Sequence, residues 1–111
     1  MRVSMVTFDS LAPTELAGWW AKAIDGEVHE SGADFVMVKG GGLTLGFQYV
    51  ADPTPGKNRV HLDMASHDVE KDIARLQQLG ARVLRRHETP GFSWVVLMDP
   101  EDNHFCVSRG F

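Results

Sequence analysis

Residues 59–80 read RVHLDMASHDVEKDIARLQQLG, and the change of period inside them decides the fold. From Arg59 to Ala65 polar and apolar residues alternate, the period of a strand covered on one face. From Val69 onward the period lengthens. Val69, Ile73, Leu76 and Leu79 recur at helical spacing and form a single apolar stripe. Asp68 is a good N-cap, and Glu70 and Asp72 suit the positive end of the helix. Gly80 suits the left-handed residue that follows a last turn. Beyond it the pattern predicts strands at 81–87, 92–98 and 104–108. The turn DPEDN, Asp99 to Asn103, joins the last two.

Working back, the same order of elements precedes this one. Residues 2–8 alternate as a strand, and Pro13 takes a first helical position. Leu16, Trp20, Ala23 and Ile24 make the stripe of that helix, which Gly26 ends. Strands are expected at 27–30, 34–39 and 43–50, with Gly40-Gly41-Gly42 turning between the last two. Weak identities accompany the repeated order. Arg2-Val3-Ser4-Met5 matches Arg59-Val60-His61-Leu62 at an offset of 57, Leu16-Ala17 falls on Ile73-Ala74, and Phe47 matches Phe105 at 58. ADPTPGKN, residues 51–58, reads as a linker. The expectation is one domain over residues 1–111, with module one at 1–50 and module two at 59–111. Strands packed against segregated helices make it α+β.

Composition narrows the function classes. A chain of 111 residues with 43% hydrophobic and 23% charged residues is ordinary for one globular domain. A formal charge of −4 offers no basic footprint for nucleic acid. No apolar run reaches the roughly 20 residues that span a bilayer, so no membrane is expected. MRVSMVTFDS lacks the apolar core and cleavage site of a signal peptide. One cysteine cannot close an internal disulfide, and a cytoplasmic location is expected.

Alternation also assigns faces. Val60, Leu62 and Met64 should lie under the second helix, leaving Arg59, His61 and Asp63 opposite. Phe105 and Val107 separate likewise from His104, Cys106 and Ser108, and Leu45, Phe47 and Tyr49 from Gly46, Gln48 and Val50. Val3 and Met5 separate from Ser4 and Val6. Ser4, Gln48, His61 and Cys106 thus fall on the non-helix face of four strands. Ser4 with His61, and Gln48 with Cys106, are equivalents in the repeat, as a pseudo-twofold cleft would have it.

The runs KNRVHLDM, DVEKDIARLQQLGARV and WVVLMDPEDNHFCV, preceded by PTELAGWWAKAIDGEV, resemble glyoxalase-like members of the glyoxalase/bleomycin-resistance/dioxygenase (vicinal oxygen chelate) superfamily. The resemblance covers nearly the whole chain, and DP-x-x-N-x-F is its most distinctive motif. It implies two tandem βαβββ modules forming a curved mixed sheet around a cleft, often in a homodimer. It also implies that a metal, where one is used, is held from the first, fourth, fifth and eighth strands. Those slots carry over to Ser4, Gln48, His61 and Cys106; a one-residue indel would move the first to Met5. His61 matches, but Cys106 stands where the metal enzymes commonly have glutamate. One imidazole, one amide and one thiol suit a hard divalent ion poorly.

The expectation is therefore a small-molecule-binding protein with no tightly held metal and no cofactor. Were a metal present, His61, Gln48 and Cys106 would hold it. The alternative is a metal-dependent lyase, isomerase or dioxygenase using His61 and Gln48, so whether the chain is an enzyme stays open. A third class is a non-catalytic dimer or partner-binding module. The expected cleft comprises Ser4, Gln48, His61, Asp63, Trp94 and Cys106, with His61 the candidate general base. Its bland alternative is a hydrogen bond to Asp63. Cys106 reads as a small, partly buried residue rather than a nucleophile, and Asp63 and Arg59 as makers of structural ion pairs. Trp19-Trp20 reads as core with one ring at the rim, and Trp94, Phe92 and Phe35 as cavity walls. The glycine run lacks the GK[ST] ending of a phosphate loop. His29, His67, His87 and His104 share no ligand spacing, and most of them are expected at the surface.

Overall fold

A computed structural model describes residues 3–110. The chain divides between Pro53 and Thr54, inside the expected linker, into two compact units. Each unit has its own four-stranded mixed sheet and one helix.

In the first unit β1 (Val6–Ser10) leads into α1 (Pro13–Ile24), then β2 (Glu27–Glu30), β3 (Phe35–Gly40) and β4 (Leu43–Tyr49). The strand order is β1-β4-β3-β2, with β1 parallel to β4 and the other pairs antiparallel. Leu16, Ala17 and Trp20 of α1 are buried against Val36, Val38, Leu45 and Phe47. Phe8 stacks at a tilt on both Trp20 and Phe47 (ring centroids 5.5 and 5.1 Å). Trp19 and Trp20 are both buried, so the core part of their reading holds and neither ring is left at a rim. Two-residue loops with both positions at positive φ suit hairpins, and Gly41 (62°) and Gly42 (80°) make such a loop. Gly40 belongs to β3 itself, where its Cα side lies against Gly26: a Cβ there would come within 2.7 Å of the Gly26 Cα. Gly26 is required by close packing in turn, since a Cβ there would meet Val38 Cγ1 at 2.8 Å and the Lys39 carbonyl oxygen at 3.1 Å. The left-handed residue that ends α1 is Asp25 (φ 53°), not Gly26.

The second unit repeats the plan with β5 (Leu62–Ala65), α2 (Val69–Gln78), β6 (Arg82–Thr89), β7 (Phe92–Met98) and β8 (His104–Ser108), in the order β5-β8-β7-β6. Asp68 caps α2 by accepting the Lys71 N–H, and Gly80 takes positive φ, both as expected. Ile73 and Leu76 are buried with Val95, Leu97, Phe105 and Val107. No helix among the described residues is long and apolar enough to cross a membrane.

Two strand starts differ from the alternation reading. The first strand, expected at 2–8, runs Val6–Ser10, and Arg2 lies outside the described residues. The strand expected from Arg59 begins at Leu62, and Val60 is 75% exposed rather than covered by α2. The cause is the partner strand. Leu62 pairs with Phe105 in a parallel ladder, and two steps further back, before His104 opens β8, the chain lies in the Asp99–Asn103 turn. Positions 59 and 60 therefore have nothing to pair with. Asn58 instead ties that segment down: its side chain accepts the His104 N–H (2.8 Å) and donates to the His104 carbonyl (3.2 Å).

Candidate functional site

Register decides which side chains share a face. In the second unit Asp63, Cys106, Val96 and Arg85 are cross-strand partners in one row, and Ser108, Trp94 and His87 form the next. Phe105, Val107, Val95 and Leu97 take the helix side, so this row lies on the opposite face. His61 sits two residues before Asp63, on the same side, with Nε2 3.4 Å from Asp63 Oδ1. The Cys106 thiol donates a hydrogen bond to the Asp63 carboxylate. Ligand atoms of His61, Asp63 and Cys106 all lie within 4.8 Å of one another, His61 and Asp63 exposed and Cys106 half-buried.

Electrostatics at this cluster act first on the thiol. Burial pushes the Cys106 thiol up from its ordinary value, and the Asp63 charge and hydrogen bond push it further, against Lys57 and Arg85. The raised value keeps the thiol protonated at neutral pH. Alkylation by iodoacetamide at pH 7 is expected to be several-fold slower than for a free cysteine peptide, because only the thiolate reacts. Asp63→Asn should speed it; equal rates in the two proteins would contradict the role given to Asp63.

Most of the histidines His29, His67, His87 and His104 were expected at the surface, but only His67 is exposed, and His29, His87 and His104 are half-buried. His104 is half-buried and its Nδ1, shielded from solvent, has no hydrogen-bond partner among the described residues. Desolvation lowers its pKa, helped by the charges of Lys57 and Arg85. His87 is half-buried and stacks on Trp94 (4.7 Å, 17°). Phe92 stacks on Trp94 in turn (5.7 Å, 28°), placing Trp94 and Phe92 in one aromatic group. No ligand spacing announced either histidine. The signal was cross-strand register, which needs the hairpin turn Pro90-Gly91 to be located first.

In the first unit the face opposite α1 carries Met5 and Thr7 beside Gly46, with Phe35 and Gln48 nearby. A Cβ on Gly46 would meet the Met5 sulfur and the Phe35 ring at 2.9 Å and Thr7 Oγ1 at 3.0 Å. Phe8 faces the helix through Trp20, so Ser4, of the same parity, precedes β1 on the helix side of the alternation and is exposed. The expected assignment of Ser4 was therefore one residue out. Parallel registers fix the repeat: Val6 pairs with Leu45 as Leu62 pairs with Phe105, and Thr7 with Gly46 as Asp63 with Cys106. Ser10 and Ser66 confirm the phase, each accepting the N–H two residues on, ahead of its helix. The equivalents of His61 and Cys106 are thus Met5 and Gly46, replacing Ser4 and Gln48. The registers set the first strands of the two units at an offset of 56 (Val6 to Leu62) and the last at 60 (Leu45 to Phe105), where the identities gave 57 and 58.

Within the second unit His61 and Cys106 offer an imidazole and a protonated thiol, a pair that does not fit a hard divalent ion. Asp63 adds one carboxylate beside His61 and Cys106, but it is already engaged with the thiol proton.

A βαβββ unit made twice, each with a parallel β1–β4 type pairing, defines a two-module α+β protein of glyoxalase-like build. The chain belongs to the glyoxalase-like domain family, whose model matches residues 5–108. Its structure is similar to a glyoxalase/bleomycin resistance protein/dioxygenase family enzyme from Burkholderia phytofirmans (TM-score 0.81, 20% identity, 95% of each chain). It is also similar to a fosfomycin resistance protein from Listeria monocytogenes (0.82, 15%, 99% of this chain and 90% of that one). A lactoylglutathione lyase from Agrobacterium tumefaciens follows (0.73, 16%, 96% and 92%). At such identities these likenesses carry the fold alone. No curated protein sequence matches the chain.

Proposed function

We propose that the chain binds a small organic molecule on the non-helix face of its second sheet, around His61, Asp63, Cys106 and Trp94, without a tightly held metal. The convergence of His61, Asp63 and Cys106 within 4.8 Å carries the reading. Polar groups gathered beside aromatic rings are what a small ligand needs for orientation and affinity. His61, held toward Asp63, is the candidate general base. The family's structural neighbours include proteins described as resistance determinants, a lyase and an oxidase, so binding and catalysis both occur on this fold. One glyoxalase-like domain spanning the chain, a cytoplasmic setting and a homodimer complete the proposal; open sheet edges at β2 and β6 favour association.

A second reading, a metal-dependent lyase, isomerase or dioxygenase, has the same three donors in its favour, with Asp63 rather than Gln48 completing the set. Elemental analysis of purified protein separates the two. Less than about 0.1 metal per chain, with metabolite screening by calorimetry yielding a ligand whose binding His61→Ala weakens, is the expected result. Stoichiometric zinc, nickel, iron or manganese that His61→Ala removes would replace the first reading by the second. Light scattering should give a dimer mass; a monomer at micromolar concentration would overturn the dimer.

A further inference from the structure

We infer that the ligand of the second sheet is a planar aromatic anion, its ring stacked against the Phe92–Trp94–His87 group and its negative charge held by Arg85; this rests on the small-molecule reading above. Three observations converge. The first is the near-parallel set of rings, Phe92 on Trp94 at 28° and Trp94 on His87 at 17°. A flat ring extends such a set by offset stacking, where an aliphatic group gains no matching geometry.

The second is Arg85. Its Nε donates to His87 Nε2 at 3.0 Å, which fixes the guanidinium beside the imidazole that ends the stack. Three other arginines of this unit are neutralised locally: Arg75 by Asp72, Arg82 by Asp102 and Arg86 by Glu70. Arg85 has no carboxylate within ion-pair distance among the described residues. Its terminal nitrogens remain for a planar carboxylate or phenolate, the acceptors a guanidinium matches best.

The third is the charge around the row. Arg85 shares a row with Cys106 and Asp63, and Lys57 adds a second positive charge that reaches both Cys106 and His104. Asp63 is the acid of that row, and its carboxylate is occupied by the Cys106 thiol and His61. The face is thus locally cationic on a chain whose formal charge is −4. Phosphate-bearing ligands would call for several cations converging on one point, and here one guanidinium lies beside an aromatic surface. An aromatic monoanion fits that balance.

The test uses the whole chain and three probes of similar size: 2-naphthoate, 2-naphthamide and decahydronaphthalene-2-carboxylate. Calorimetry should show 2-naphthoate binding at least about tenfold tighter than the neutral amide or the non-planar acid. Arg85→Gln and Trp94→Leu should each weaken 2-naphthoate by about tenfold or more, while Arg82→Gln and Arg86→Gln leave it unchanged. Circular dichroism establishes that each variant is folded, and the comparison of probes on the unaltered protein needs no variant. Equal affinities for the three probes, no binding of 2-naphthoate at millimolar concentration, or indifference to Arg85→Gln would overturn the inference. If 2-naphthoate fails while a non-aromatic or uncharged metabolite binds and His61→Ala weakens it, this inference falls and the small-molecule reading stands. If no compound of the screen binds, both fall.

Discussion

Trp20→Ala is expected to destabilise the first unit by about 3–5 kcal/mol, the range for deleting a large buried aromatic. Trp20 is 1% exposed and sits where α1 meets the sheet, with Phe8 at 5.5 Å and Trp19 edge-on at 5.1 Å. Removing the indole leaves a void that neither neighbour can fill, because Phe8 is itself held against Phe47. Domains of this size have only about 5–15 kcal/mol in total. The melting temperature should therefore drop by roughly 10 °C or more. Trp20→Phe should cost less than half as much, since it keeps one ring in the pocket. Trp19→Ala should also cost less, because that residue retains an exposed edge at 8%. Chemical denaturation of the three variants checks the order; a Trp20→Ala loss under about 1 kcal/mol would contradict the packing described.

The core and the element order were legible because they rest on periodicity, which burial enforces along the chain. Leu16, Trp20, Ile73 and Leu76 could be named from spacing alone, and all four are buried. Strand starts were less legible, since a strand begins where its partner begins. Nothing local at Val60 reveals that β8 opens only at His104. The candidate site suffered from the same gap. Ser4 alternates as well as Met5 does, and only the pairing of Val6 with Leu45 settles the phase. Likewise Arg85 and His87 were anonymous members of an exposed strand until the register set them beside Val96 and Trp94. His61 and Cys106 were found because the resemblance supplied their slots. Asp63, read as a structural ion-pair former, proved to link the two.

Asp99→Ala is expected to destabilise the second unit by about 2–4 kcal/mol, through donors left without acceptors rather than through lost volume. Asp99 is fully buried at the end of β7. Its Oδ1 accepts the N–H groups of Glu101 and Asn103, each at 2.9 Å, and its Oδ2 accepts the Asn103 side-chain amide at 2.8 Å. Its own backbone closes the turn, bonding Asn103 on one side and Asp102 on the other. The turn so built aims the chain from β7 into β8, and β8 carries both Phe105 of the core and Cys106 of the site. The most distinctive motif of the chain, DP-x-x-N-x-F, is therefore explained by turn construction and core packing. That is why it announces the family without announcing a reaction. Asp99→Asn retains Oδ1 for the two backbone N–H groups but sets an amide donor against the Asn103 amide, so it should cost about half as much. Both variants should still bind the ligand of the second sheet at temperatures where they remain folded. A folded Asp99→Ala protein of unaltered stability would show that the turn is held elsewhere. A stable variant that had lost only ligand binding would place Asp99 in the site, against its burial and its saturated carboxylate.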